Sequence, residues 1–206
     1  MVDLRTYAFL DSLQPQFASF IATVAGGFLP VKGQASLFVE ISPGMEINRV
    51  TDIALKATDV KPGMMIVERL FGMLEIHSDS QGDVRQAGEA ILESLGLTEA
   101  DRLKPRITTS QLIRNISDYH TQLINRTRHG QMIIPGQTLY TMEVAPAGYA
   151  ALAANEAEKA ANVDILEVRT FGSFGRLYLS GEEADMEVGY QAAEQAISDV
   201  SGRVVN

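Results

Sequence analysis

The chain contains no cysteine and no tryptophan among its 206 residues, and it holds only three histidines. Without cysteine there is no disulfide framework and no thiolate nucleophile or ligand, a composition that suits a reducing compartment such as the cytoplasm. His77, His120 and His129 show no metal-ligand spacing, and Glu75-x-His77 reads as an exposed pair on a strand, so no metal site and no cofactor are expected. No run approaches the roughly 18 apolar residues that a membrane helix requires, and the opening Met1-Val2-Asp3-Leu4-Arg5 lacks the basic start and apolar core of an export signal. Lysine and arginine form no cluster, and the formal charge of -9 repels phosphate backbones, which argues against nucleic acid as a partner. The glycine-bearing stretch from Gly26-Gly27 to Lys32-Gly33 lacks the Gly-Lys-Ser/Thr ending of a phosphate loop. No nucleophile with a partnering base is evident, so the chain does not read as an enzyme.

What is present is material for a core, 46% apolar against 21% charged, and an internal repeat. Shifting the sequence by 103 residues aligns residues 4–76 with 107–179 without a gap. Thr6/Thr109, Gly27/Gly130, Gly33/Gly136, Gln34/Gln137, Glu40/Glu143, Pro43/Pro146, Lys56/Lys159 and Gly72/Gly175 are identical pairs in that single register. Two domains follow, 1–103 and 104–206, each near the commonest domain size.

Each half reads as the same order of elements. A strand (6–10; 111–113) precedes a short helix (16–24; 119–126), and a glycine turn leads to a second strand (36–41; 138–144). The clearest helices span 47–58 and 150–161, with apolar residues at helical spacing, and the alanines of the second imply close packing. A hairpin with glycine at its bend (64–77; 165–179) and a last helix (83–95; 185–200) complete each unit, and the polar stretch 97–105 reads as a linker. The fold class is α+β, with helices packed on a mostly antiparallel sheet.

The run Glu143-Val144, Pro146, residues 152–163 (Leu-Ala-Ala-Asn-Glu-Ala-Glu-Lys-Ala-Ala-Asn-Val) and Thr170-Phe171-Gly172-Ser173-Phe174-Gly175 resembles the signature of bacterial microcompartment shell domains. Leu55-Lys56-Ala57-Thr58-Asp59-Val60 and Val67-Glu68-Arg69-Leu70-Phe71-Gly72 form a weaker version in the first half. A strand and a helix precede the signature in each half, so the order is similar to that of circularly permuted tandem shell proteins, with two ferredoxin-like-type domains. The opening residues 4–14 and the segment 40–45 are similar to the tandem protein of carboxysome shells, the compartments of carbon dioxide fixation.

The resemblance implies a trimeric tile that mimics a hexamer, stacking of two trimers face to face, contact with other carboxysome shell proteins, and a central pore. It places Glu68-Arg69 and Phe171-Gly172 on the pore loops, and Lys56 and Lys159 at the edge where neighbouring tiles meet. It further implies that a Glu68-Arg69 pair opens and closes the pore, Arg69 meeting Glu68 of a neighbouring subunit when closed, to pass phosphorylated metabolites such as ribulose bisphosphate and phosphoglycerate. Two alternatives stand beside it: a small-molecule-binding regulatory module, and the shell of a different microcompartment.

Overall fold

The computed structural model describes residues 2–204, and the repeat governs it. In the first half β1 (Asp3–Leu10), α1 (Pro15–Val24), β2 (Ala35–Ser42), α2 (Ile47–Ala57), β3 (Lys61–Glu68), β4 (Phe71–Ser78) and α3 (Gln81–Leu95) follow in order. The second half repeats them as β5 (Arg106–Ile113), α4 (Asp118–Thr127), β6 (Thr138–Ala145), α5 (Tyr149–Ala160), β7 (Asp164–Arg169), β8 (Gly175–Gly181) and α6 (Glu183–Ser198). Two antiparallel four-stranded sheets result, ordered β1-β2-β4-β3 and β5-β6-β8-β7.

The first sheet is buried on both faces. Leu37, Val39, Ile41, Leu74 and Ile76 point toward α2 and α3, where Val50, Ala54, Val84 and Ile91 meet them. Alternation along the strands sends Ala8, Leu10, Phe38 and Met73 to the opposite face. There they join Phe17 and Ile21 of α1 and the alanines of α5, which also covers the second sheet. Ala150, Ala151, Ala153, Ala154 and Ala157 are all fully buried, because only methyl-sized side chains let one helix lie close to two layers at once.

The outer face of the second sheet is thinly covered. Its cluster is small, Ile116, Ile133, Leu139 and Leu166, and Thr121 is the only residue that α4 buries. β5 is longer than its apolar pattern predicts, because half of its residues are exposed, none is fully buried, and alternation is muted there.

Residues 97–105 are not the loose linker that their polarity suggests. Leu103 is buried, its amide donates to Arg5 O at 3.1 Å, and its carbonyl accepts from Tyr149 Oη at 3.1 Å. Arg102 Nη1 donates to Tyr7 O at 2.9 Å, so hydrogen bonds to both halves fix the crossing.

Gly72 and Gly175 lie within β4 and β8 rather than at the bends. A Cβ at Gly72 would collide with Gly44 O, and one at Gly175 would collide with Ala147 O, so the backbone entering α2 or α5 presses directly on the strand. Gly175→Ala is therefore expected to destabilise the protein by about 1–3 kcal/mol through overpacking. Gly26→Ala, whose added methyl would meet nothing within 4 Å, is expected to change stability by less than about 0.5 kcal/mol. Chemical denaturation of the two variants checks both, and equal effects would remove the close-approach argument.

Candidate pore-loop site

The hairpin turns β3–β4 and β7–β8 lie side by side at one end of the molecule. Glu68 ends β3, and its carboxylate accepts from Arg169 Nη2, at the end of β7, at 3.1 and 3.3 Å. The Arg169 guanidinium carbon is 4.9 Å from the centre of the Phe171 ring, and a methyl at Gly172 would lie 3.4 Å from Glu68 Oε1. Glu68, Phe171 and Gly172 are thus brought together in one chain.

Arg69 is exposed and forms no ion pair with the described residues. Its backbone is left-handed, φ 53°, as is that of Gly172, φ 99°, which lies 103 residues on. The turn geometry is common to both halves, but a non-glycine residue in this region bears a cost of about 1–2 kcal/mol. The conformation takes Arg69 out of strand alternation with Glu68.

Arg169 is the residue that sequence reading missed. Its signal was the charge opposite to Glu68 at the matching end of the other hairpin. Glu68 and Arg169 are both part-exposed, so in water this pair contributes no more than about 1 kcal/mol and can exchange partners.

Lys56 pairs with Asp52 at 2.6 Å within α2 and is largely exposed. Lys159, its equivalent, stands 3.6 Å from Asp11 and 3.8 Å from Glu156, so its charge lies at the joint between the halves. That joint is polar as well as apolar. Asn155 Oδ1 accepts from Gln14 N at 2.9 Å, and the Glu158 carboxylate accepts from Gln16 N and Phe17 N at 2.7 and 2.8 Å. Burial raises the Glu158 pKa, against the pull of those two amides. Glu40, buried, accepts from Arg5 Nε at 2.9 Å, Thr6 Oγ1 at 3.1 Å and Gly148 N at 3.0 Å.

Glu75 and His77 are fully buried, which corrects the expectation of an exposed pair. The reason is that β4 is covered on both faces, so no strand side is left for water. Ser36 Oγ donates to Glu75 at 2.6 Å, His77 Nδ1 lies 3.2 Å from both carboxylate oxygens, and His77 Nε2 has no partner among the described residues. No group of three or more potential metal ligands occurs among the described residues, and no helix there is long and apolar enough to cross a membrane.

Residues 4–101 match the family described as the CsoS1D N-terminal domain. The chain is 60% identical over 202 residues to the carboxysome shell protein CcmP of Synechococcus elongatus, covering 98% of this chain and 95% of that one. It is 48% identical to the carboxysome shell protein CsoS1D of Hydrogenovibrio crunogenus, covering 98% and 100%. Among solved structures, a double ringed trimeric shell protein from the RMM microcompartment superposes with a TM-score of 0.96 at 41% identity over the whole of both chains. A fused permuted hexameric shell protein of the same microcompartment gives 0.94 at 44% identity, covering 97% of this chain and 100% of that one. With both halves folded alike, the two hairpin turns side by side and relatives of this similarity along the full length, the chain belongs to the tandem-domain carboxysome shell proteins, whose role is structural rather than enzymatic.

Proposed function

We propose that three chains close into a ring of six alternating repeats, 1–103 and 104–206 from each chain, with residues 68–72 and 171–175 around a central opening. The joint between the halves carries this reading, because the second half ends in a surface that matches it with one side missing. Moving each contact of the joint by 103 residues sets Asp52, where Asn155 stands, against the amide of Ser117, where Gln14 stands. Leu55 takes the place of Glu158 and faces Tyr119 and His120. Glu143 takes the place of Glu40 and faces the amide of Met45. Tyr119, Met45 and Leu55 are 82%, 71% and 40% exposed in the single chain, as an unmet interface requires. A heterologous contact of this kind generates a closed ring when its rotation closes, and the trimeric relative supports closure at three chains.

In that ring Arg69 is the gate residue. Three guanidiniums around an axis repel one another by about 1 kcal/mol per pair at 4 Å in bulk water, so the closed state needs a carboxylate, supplied by Glu68 of a neighbouring subunit. Withdrawal of Arg69 leaves a rim that includes Gly172, which adds no side chain. The opening then suits phosphorylated metabolites such as ribulose bisphosphate and phosphoglycerate, drawn by the arginine charge. Stacking of two rings is supported by the double ringed relative. Lys56 and Lys159 serve contacts with other shell proteins at the tile edge.

Tyr119→Asp is expected to place an unpaired carboxylate in a closed joint and weaken association by roughly tenfold or more per contact. Light scattering during size exclusion should show the wild type at three chain masses, or a multiple of three, and the variant at one. A variant that stays trimeric rejects the joint. Arg69→Ala should leave a ring that assembles with its opening unobstructed in electron micrographs, and an occluded opening in that variant rejects the gate.

A further inference from the structure

A cleft of about 710 Å³ opens between α3 of the first half and the end of α6 of the second, with residues 97–102 of the crossing along it. Its volume falls within the roughly 300–1,000 Å³ of small-molecule sites. Tyr7 and Phe9 of β1 and Tyr149 of α5 give it an aromatic wall, and Leu92, Leu97, Leu152 and Val200 give it an apolar one. The ring contacts proposed above run through α2, α4 and their flanks, so each chain keeps its own cleft.

The charge of the cleft is negative. Glu89 and Glu93 of α3, Glu99 of the crossing and Asp199 after α6 line it, against Arg85 and Arg102. Arg102 is already engaged, by the Glu99 carboxylate, by Tyr7 O at 2.9 Å and by Ser201 O at 2.8 Å. The Arg85 guanidinium carbon lies 3.8 Å from the centre of the Phe9 ring, so one cation rests on the aromatic wall within the chain itself. Glu89, Glu93 and Asp199 have no cationic partner within 4 Å among the described residues.

The Tyr7 hydroxyl is an independent sign of a ligand. Tyr7 is only 6% exposed, and its Oη makes no hydrogen bond with the described residues. It stands against Gly88, where an added Cβ would collide with Oη, so α3 makes room for the hydroxyl with a glycine. Burial pushes its pKa up to about 12, and the charges of Glu99 and Glu89 act in the same direction. It is therefore a neutral hydroxyl whose oxygen can accept from an N–H donor, and a buried hydroxyl without a partner is a cost that such a donor removes.

We propose that this cleft binds a linear aliphatic di- or triamine. Its carboxylates come from three separate elements, and no group of three or more potential metal ligands occurs among the described residues, so the site suits positive charge spread along a chain rather than a metal ion. The ammonium groups meet the carboxylates of α3 and of Asp199, one of them donates to Tyr7 Oη, and the methylenes between them lie on the leucines and Val200. Because both halves line the cleft, a bound amine ties α3 and the crossing to α6.

The test is isothermal titration of the assembled protein with spermidine at low ionic strength, with magnesium chloride and N-acetyl-lysine amide as comparison ligands. The wild type should bind spermidine saturably, one per chain, and about tenfold or more tightly than either comparison, since neither offers ammonium groups in series. Glu89→Gln with Glu93→Gln should weaken binding by about tenfold or more, and both side chains are exposed, so the fold is kept. Tyr7→Phe should weaken it by about threefold or more. No hydrogen bond within the protein is lost with that hydroxyl, so the melting temperature of Tyr7→Phe without ligand should not fall, while the rise that spermidine gives the wild type by mass action should shrink. Absence of saturable binding, or affinity unchanged in the double glutamate variant, overturns the site, and affinity unchanged in Tyr7→Phe overturns the role of the hydroxyl. Equal affinity for magnesium overturns the amine in favour of a general counterion, and equal affinity for the lysine derivative overturns it in favour of a protein side chain. A monomer that binds spermidine rejects the ring and keeps this site.

Discussion

The fold depends on how α1 begins. The N-cap residue Gln14 makes no side-chain cap, and Pro15 starts the helix without an N–H, so the amides of Gln16 and Phe17 have no local acceptor. The Glu158 carboxylate, from α5 of the other half, accepts from both, and Asn155 one turn earlier accepts from Gln14 N. Helix dipole and hydrogen bonding favour a carboxylate here, even though burial opposes its ionisation. The first half is consequently completed by the second: Phe17, stacked on Phe38 at 6.1 Å between ring centres, has its place only because α1 is anchored from across the joint.

The equivalent helix α4 is built differently. Its Ser117 accepts from His120 N at 3.4 Å, so the helix closes its own first turn and can exist with its outer face bare. Duplication therefore gave two helices with the same place in each half and different chemistry at their first turns. The joint inside the chain is closed by buried carboxylate and amide side chains, which are costly to expose. Its proposed counterpart between chains has Leu55 against Tyr119 and leaves α4 self-capped, a surface that tolerates water before association and gains by losing it.

Much of this was legible in the residues. The 103-residue register put both sheets and all three pairs of helices, the alanine-rich α5 among them, in order, because glycine, proline and helical periodicity are local signals. The full length of β5 was not legible, since a strand that faces solvent shows little alternation in its apolar residues. Nor was the burial of Glu75 and His77: polar residues on a strand look exposed until the second face of the sheet is known to be covered by α1 and α5. The site was half legible. The hairpin tips were found, but Arg169 lies outside the contiguous signature, and across 101 residues the one sign of the pair is a charge opposite to that of Glu68.

Divergence between the repeats is concentrated where function would use it. Arg69 against Gly172 and Glu68 against Phe171 change the hairpin turns, and Ile66 against Arg169 and Met73 against Arg176 change the strands behind them. The paired glycines Gly72 and Gly175, by contrast, are held the same by backbone carbonyls that leave no room for an added methyl. A symmetric ring of identical repeats would bring like charges together at every loop. Two repeats that share a scaffold while one carries the acid and the other the guanidinium satisfy the pair inside each chain, and leave Arg69, in its left-handed turn, without a carboxylate partner among the described residues.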